Sequence, residues 1–212
     1  MILSRRHVLV ASAVLLATRR VEAAAPIDDL LARIARARAP VRTLKGPFTQ
    51  TRTIGLLSTD IRSVGAVALV RPDRLRWELS PPDDVTFWVG PEGLAYRSAH
   101  GQGRMPASSA RIAASLQDLH SLLGGDLARL TERWTLTALR DDATGVEIEA
   151  RARVPASAGP ATPRTMRFAL GADLVRPTRA LLVEGEHDRT AIEFGDLAVN
   201  APVDESAMRP PA

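Results

Sequence analysis

The chain has no cysteine. Disulfides, thiolate metal sites and a cysteine nucleophile are therefore excluded. Lys45 is the single lysine among 28 basic residues, which reads as a coding bias rather than as function. Aromatic residues make up only 4%, so the position of each Trp and Phe is informative. There are 4 histidines: His7 near the start, His100 in a glycine-rich stretch, His120 in a helical pattern and His187 in a turn. Nothing in their spacing places them together. No G-x-S-x-G turn presents a serine nucleophile. Gly101-x-Gly103 does not join a strand to a helix, so it is no phosphate loop. Glu184, Glu186, His187 and Asp188 have the composition of a metal cluster, but their spacing matches no known site, and an acidic hairpin tip is simply well solvated. The sequence yields no catalytic residue, no metal site and no cofactor.

What is present begins with an export leader. Arg5-Arg6 precede an apolar run, Val8 to Ala17, followed by Ala23, Ala24 and Ala25. That is a charged region, a short apolar region and a cleavage zone. The run is too short to cross a bilayer comfortably. The order Ser4-Arg5-Arg6-His7-Val8-Leu9 looks like a twin-arginine signal. Residues 1–25 are read as the signal peptide and the destination as the periplasm. Without a cysteine the mature chain is not itself a lipoprotein. The isoelectric point of 10.7 suggests nucleic acid. However, the leader holds Arg5, Arg6, Arg19 and Arg20 against Glu22, so most of the net charge of +4 leaves with it. A near-neutral remainder lacks the footprint of a nucleic-acid binder.

The 212 residues, 45% hydrophobic and 25% charged, suit one domain with a real core. Pro26 to Ala39 reads as a helix with an apolar stripe at Ile27, Leu30, Leu31 and Ile34. Short strands follow at 46–54, 63–70, 74–79, 85–89 and 94–97, which suggests an antiparallel meander. Residues 99–107 read as a glycine-rich loop. The period then becomes helical, with Ile112, Leu116, Leu119, Leu122 and Leu123 on one stripe. Gly124-Gly125 breaks it, and a second short helix, 126–132, carries Asp126 as N-cap. Strands resume at 134–139, 145–154, 165–170, 177–184 and 190–197. Residues 155–163 are a low-complexity loop, and 201–212 read as a tail. Two helices inserted among strands, with no linker beside them, are expected to cap the sheet.

One stretch, Gly65 to Trp77, stands out. Val67, Leu69 and Arg71 share a face at period two, while Ala66, Ala68 and Val70 share the other. Both faces are apolar up to Arg71-Pro72. An arginine ending an apolar face needs a partner or water. It either meets solvent at a strand end or guards the mouth of an apolar cavity, and these residues alone leave both open.

That stretch resembles the LolA-type outer-membrane lipoprotein carrier family. The matching pieces are Phe48-Thr49-Gln50 after a helix, Gly65 and a strand ending Arg71-Pro72, then Leu75-x-Trp77 and Pro82. Gly93 with Tyr96, Leu122-Leu123 and Trp134 complete an ordered set. Gln50-Thr51-Arg52 with Ser63-Val64-Gly65 looks like a divergent branch linked to lipid or glycolipid export. The resemblance implies an α+β, mostly β fold over residues 26–200, an incomplete antiparallel barrel of about eleven strands with a helical lid over an apolar cavity. It implies a periplasmic, monomeric, non-enzymatic carrier. Its cargo would be a lipoprotein or related lipid, received from an inner-membrane donor complex and passed to an outer-membrane acceptor. Arg71 would hold the lid through lid carbonyls, and Gly124-Gly125 would supply a hinge. Val67, Leu69, Trp77, Phe87, Trp88, Leu116, Leu119, Leu122 and Leu123 are the candidates for cavity or lid, though each also reads as ordinary core. Two other functions are compatible with the chain: a periplasmic hydrolase of lipid or glycolipid esters, and an envelope protein-binding domain of the same fold.

Overall fold

The computed structural model describes residues 27–55, 59–105, 111–124, 127–153, 165–184 and 187–211. The expected leader, the loop 155–163 and the Asp126 cap lie outside the described residues.

Helix α1 (Ile27–Arg38) carries Asp28 and Asp29 in its first turn and Arg36 and Arg38 in its last. Each charge sits at the helix end whose dipole favours it. Leu30 and Ile34, one turn apart, are fully buried. Pro40 cannot continue the helix, and the chain turns into β1 (Thr43–Ile54). β1 and β2 (Thr59–Val70) form a long hairpin paired from Thr43↔Val70 to Ile54↔Thr59. Strands β3 (Arg74–Leu79), β4 (Val85–Gly90) and β5 (Gly93–Ser98) extend the meander.

The loop expected at 99–107 is instead largely a strand, β6 (Gly101–Met105), paired with β5. Glycines weigh against a strand in a sequence pattern. Here they permit it. Gly101 turns the chain at φ +144°, and Gly103 lies against the Tyr96 ring, where a Cβ would come within 3.0 Å.

Helices α2 (Arg111–Leu123) and α3 (Leu127–Arg133) follow, then β7 (Trp134–Asp142), β8 (Gly145–Ala152), β9 (Thr165–Gly171), β10 (Pro177–Val183) and β11 (Arg189–Phe194). The two-residue β12 (Ala198–Val199) pairs with β1. The sheet runs in the order β6-β5-β4-β3-β2-β1-β11-β10-β9-β8-β7, every pair antiparallel. Its two edges, β6 and β7, are not paired with each other, so the barrel is incomplete. The chain segment joining those edges is the one that carries α2 and α3. A connection between opposite edges of a curled sheet has to cross its open side, which is where the helices lie.

Facing residues in antiparallel pairs share a face, so the register defines the interior. One row links Phe194, Phe48, Gly65, Leu79 and Val85. The next links Val67, Trp77, Phe87, Tyr96 and Gly103. Phe48 stacks on Trp77 with ring centroids 3.8 Å apart, and Phe194 meets Trp77 edge-on at 6.3 Å. Gly65 makes room for this cluster. A Cβ there would lie 2.0 Å from the Glu78 carbonyl oxygen and 2.7 Å from the Phe48 ring. On the far side Met166, Phe168, Ile148 and Ala150 are fully or almost fully buried.

The segment beyond β12 does not hang free. Residues 201–211 run across the outer face of β2–β5 as a strap. Lys45 Nζ donates to the Pro202 carbonyl at 2.5 Å, and Trp88 Nε1 donates to the Ala207 carbonyl at 2.8 Å. Arg74 pairs with Glu205 at 2.7 Å, and Met208 is 3% exposed.

Candidate functional site

Between α2 and the inner face of the sheet lies a cavity of about 200 Å³. Its apolar wall is Trp77, Leu79, Val85 and Phe87 from β3 and β4, with Leu182 and Ile192 from β10 and β11. Leu116 and Leu119, one turn apart on α2, form the roof. Polar groups gather on the β1–β11–β10 side: Gln50, Arg52 and Thr190, with Glu184 just past the end of β10 and Ser115 on α2. Ser115 Oγ donates to Glu184 Oε1 at 2.8 Å, tying α2 to the β10 side of the mouth.

The sequence candidates divide into three groups. Trp77, Phe87, Leu116 and Leu119 line the cavity. Val67, Leu69, Leu122 and Leu123 are buried in the core, each at most 2% exposed, without lining it. Trp88 is on the opposite side of the sheet. Consecutive strand residues point to opposite faces, so Phe87 and Trp88 do not share one cavity. Trp88 lies in the outer row Ala68, Arg76, Trp88, Ala95 and Arg104, where the strap covers it. An outer hollow of about 280 Å³ lies between the β4–β5 hairpin and the strap residues Met208 and Pro210.

The cavity residues that sequence reasoning missed are Gln50, Arg52, Leu79, Val85, Ser115, Leu182, Glu184, Thr190 and Ile192. Most come from β1, β10 and β11. The pairing Arg52↔Thr190 and Gln50↔Ile192 joins strands well over 100 residues apart, and no local signal announces it. The alternation Ala180, Leu182 was a partial cue to an inward face.

Arg71 directly follows β2, and its Nη1 donates to the carbonyl of Arg38, the last residue of α1. That carbonyl also accepts from the Val41 amide at 3.0 Å, and a cation at a helix C-terminus suits the dipole. Among the described residues its side-chain partner is thus α1, not α2 or α3. Arg38 itself is buried, its Nη2 3.4 Å from the Val175 carbonyl oxygen. Burial, and then the Arg71 charge, push its guanidinium down to about 10. Helix α1 in turn packs on α3 and β7. Gly124, expected as part of a hinge, sits against Leu69, where an added Cβ would come within 2.1 Å of Leu69 Cδ2. Residue 125 lies outside the described residues.

One charge lies deeper in the lid. Asp118 on α2 is 1% exposed and pairs with Arg133 at the end of α3. The Trp134 indole lies beside it, its N–H short of a full hydrogen bond. Desolvation raises this carboxyl to about 6 despite the nearby Arg133 charge. No group of three or more acidic, histidine or cysteine side chains is arranged to hold a metal among the described residues. No helix there is long and apolar enough to cross a membrane.

No protein-family model matches the chain, and no curated protein matches it in sequence. Solved structures do match in fold. An uncharacterized conserved protein from Thermus thermophilus aligns at TM-score 0.51 and 8% identity, over 87% of this chain and 94% of that one. A LolA superfamily protein from Nitrosomonas europaea aligns at TM-score 0.46 and 9% identity, over 88% of this chain and 98% of that one. A DUF1329 family protein from Desulfovibrio piger aligns at TM-score 0.49 and 11% identity, over 85% and 97%. At these identities the likeness is one of fold alone: an open antiparallel sheet curled around an apolar interior, roofed by helices inserted between its edge strands.

Proposed function

We propose that the protein is a periplasmic carrier that takes acyl chains of a lipidated cargo into the cavity beneath α2 and delivers that cargo to the outer membrane. The observation that carries this reading is the apolar space between Trp77, Phe87, Leu182 and Ile192 below and Leu116 and Leu119 above. Each methylene buried there contributes roughly 0.8 kcal/mol. Ser115 and Glu184 form a hydroxyl–carboxylate pair at the mouth, but no histidine among the described residues lines the cavity, and the largely apolar wall favours binding and release. Release requires a roof of lower stability than the sheet. Among the described residues, the Ser115–Glu184 hydrogen bond links α2 to the β10 side, a tie that can open without breaking a strand pair. Arg71 acts on the roof at one remove. It holds the C-terminus of α1, and α1 supports α3.

The test is direct. The mature chain, purified from periplasm, is extracted and its lipids identified by mass spectrometry, and the delipidated protein is titrated with a fluorescent fatty-acid probe. Co-purifying acyl lipid and saturable probe binding, weakened by Leu119→Asp in the roof, are expected. Absence of both lipid and probe binding removes the carrier reading.

A further inference from the structure

The cavity is polarised. Its β3–β4 wall is wholly apolar, whereas every polar side chain on it comes from β1, β11, the end of β10 or Ser115. Two of those groups carry charge, and they are not equivalent. Glu184 already accepts a hydrogen bond from Ser115 Oγ at 2.8 Å. Arg52 projects from the inner face of β1 beside Thr190 and is exposed at the mouth, and its guanidinium has no hydrogen bond or ion pair with any described residue. A guanidinium presents five N–H donors in a planar fork that matches a carboxylate or phosphate. Its neighbours on the cavity, Gln50 and Thr190, add neutral polar groups.

The space is also small. At about 200 Å³ it falls below the roughly 300–1,000 Å³ of a pocket for a drug-sized ligand, which suits part of one acyl chain better than two chains side by side.

We infer that the cavity accepts a single-chain anionic amphiphile, with its chain under α2 and its carboxylate or phosphate head held at the mouth by Arg52. This rests on the acyl-carrier reading and specifies its ligand. A cationic head would face Arg52 across the mouth, and an uncharged one would leave its donors to water. Free fatty acid and the phosphate of a single-chain phospholipid share the required chemistry.

The experiment compares octanoate, octyl phosphate, octanol and octylammonium with the delipidated mature chain by isothermal titration at low salt. Octanoate and octyl phosphate are expected to bind about tenfold tighter than octanol, equivalent to ~1.4 kcal/mol, and the preference shrinks in salt as an exposed pairing must. Preference between the first two separates a fatty acid from a phospholipid source. Arg52→Gln should bring octanoate and octanol within twofold of each other. Arg52→Glu should favour octylammonium. Arg52 is exposed, so both variants should keep the wild-type melting temperature. If octanoate and octanol bind the wild type equally, the head-group assignment is overturned while the acyl-binding reading stands. If a dioctanoyl phosphatidic acid binds more tightly than octyl phosphate, the single-chain assignment is overturned. If no octyl compound binds and no lipid co-purifies, the carrier reading itself is lost.

Discussion

Asp118 is a carboxylate taken out of water on the helix that roofs the cavity, and its energetics follow from that position. Its folded value of about 6 stands above the ordinary aspartate value of the unfolded chain. The folded protein therefore holds this proton more tightly than the unfolded one. The stabilisation is complete below about pH 4 and is lost as pH rises through 6. Replacing Asp118 by Asn removes the group that titrates. Relative to wild type, the variant should gain stability as pH climbs from 4 to 7, by on the order of 2 kcal/mol. Denaturant melts of both proteins across that range would show it, and parallel pH profiles would contradict it. The sequence made other residues of the interior easy to find. Phe48, Gly65 and Trp77 lie within 40 residues on three sequential strands, and their contacts follow from hairpin register. Asp118 was invisible, because an acidic residue between apolar helix positions normally faces solvent. Arg71 was legible as a charge in need of a partner or water, but the partner it takes, the Arg38 carbonyl, depended on where α1 docks.

The strap at 201–211 shows how composition hides an element. It reads as a tail of proline, small and charged residues, yet it contributes one buried side chain, Met208, and shields another, Trp88. Its backbone carbonyls are satisfied by Lys45 and Trp88 from separate strands. A chain stopped after Asn200 would keep β12 and the Asn200 side-chain acceptance from the Arg42 amide at 2.6 Å, but lose all of this. Burial of Met208 and Trp88 together contributes about 3 kcal/mol, so the truncated chain should melt several degrees lower, with one tryptophan newly open to acrylamide quenching. Unaltered melting and quenching would show that the strap is ornamental. β6 hid behind its glycines in the same way. α2, α3 and the meander were plain, because each repeats its apolar residues at a local period that sequence displays directly.

At the scale of the molecule, what sequence displayed was the inventory, and what it hid was the joining of the two halves. Strands β2 to β6 are neighbours in chain order, but β1 pairs with β11 across more than 130 residues, and the cavity sits at that seam. The absence of cysteine offers a clean probe of the roof. Ser115→Cys and Glu184→Cys would place the only two thiols of the chain on opposite sides of the mouth, joinable by a short bifunctional methanethiosulfonate. The joined protein should admit octanoate but reject hexadecanoate, and reductant should restore the longer chain. Uptake of hexadecanoate by the joined form at the wild-type affinity would mean that the roof does not need to rise.

The unpaired edges β6 and β7 have a mechanical consequence. In a closed barrel, strand number and stagger fix the circumference, and with it the bore. Here no ladder of hydrogen bonds spans the gap between the last strands. The girth of the vessel is instead set by how α2 and α3 rest in the opening. A guest that lifts those helices can widen the vessel without breaking a single strand pair, so capacity becomes a property of the roof while the wall keeps its strength.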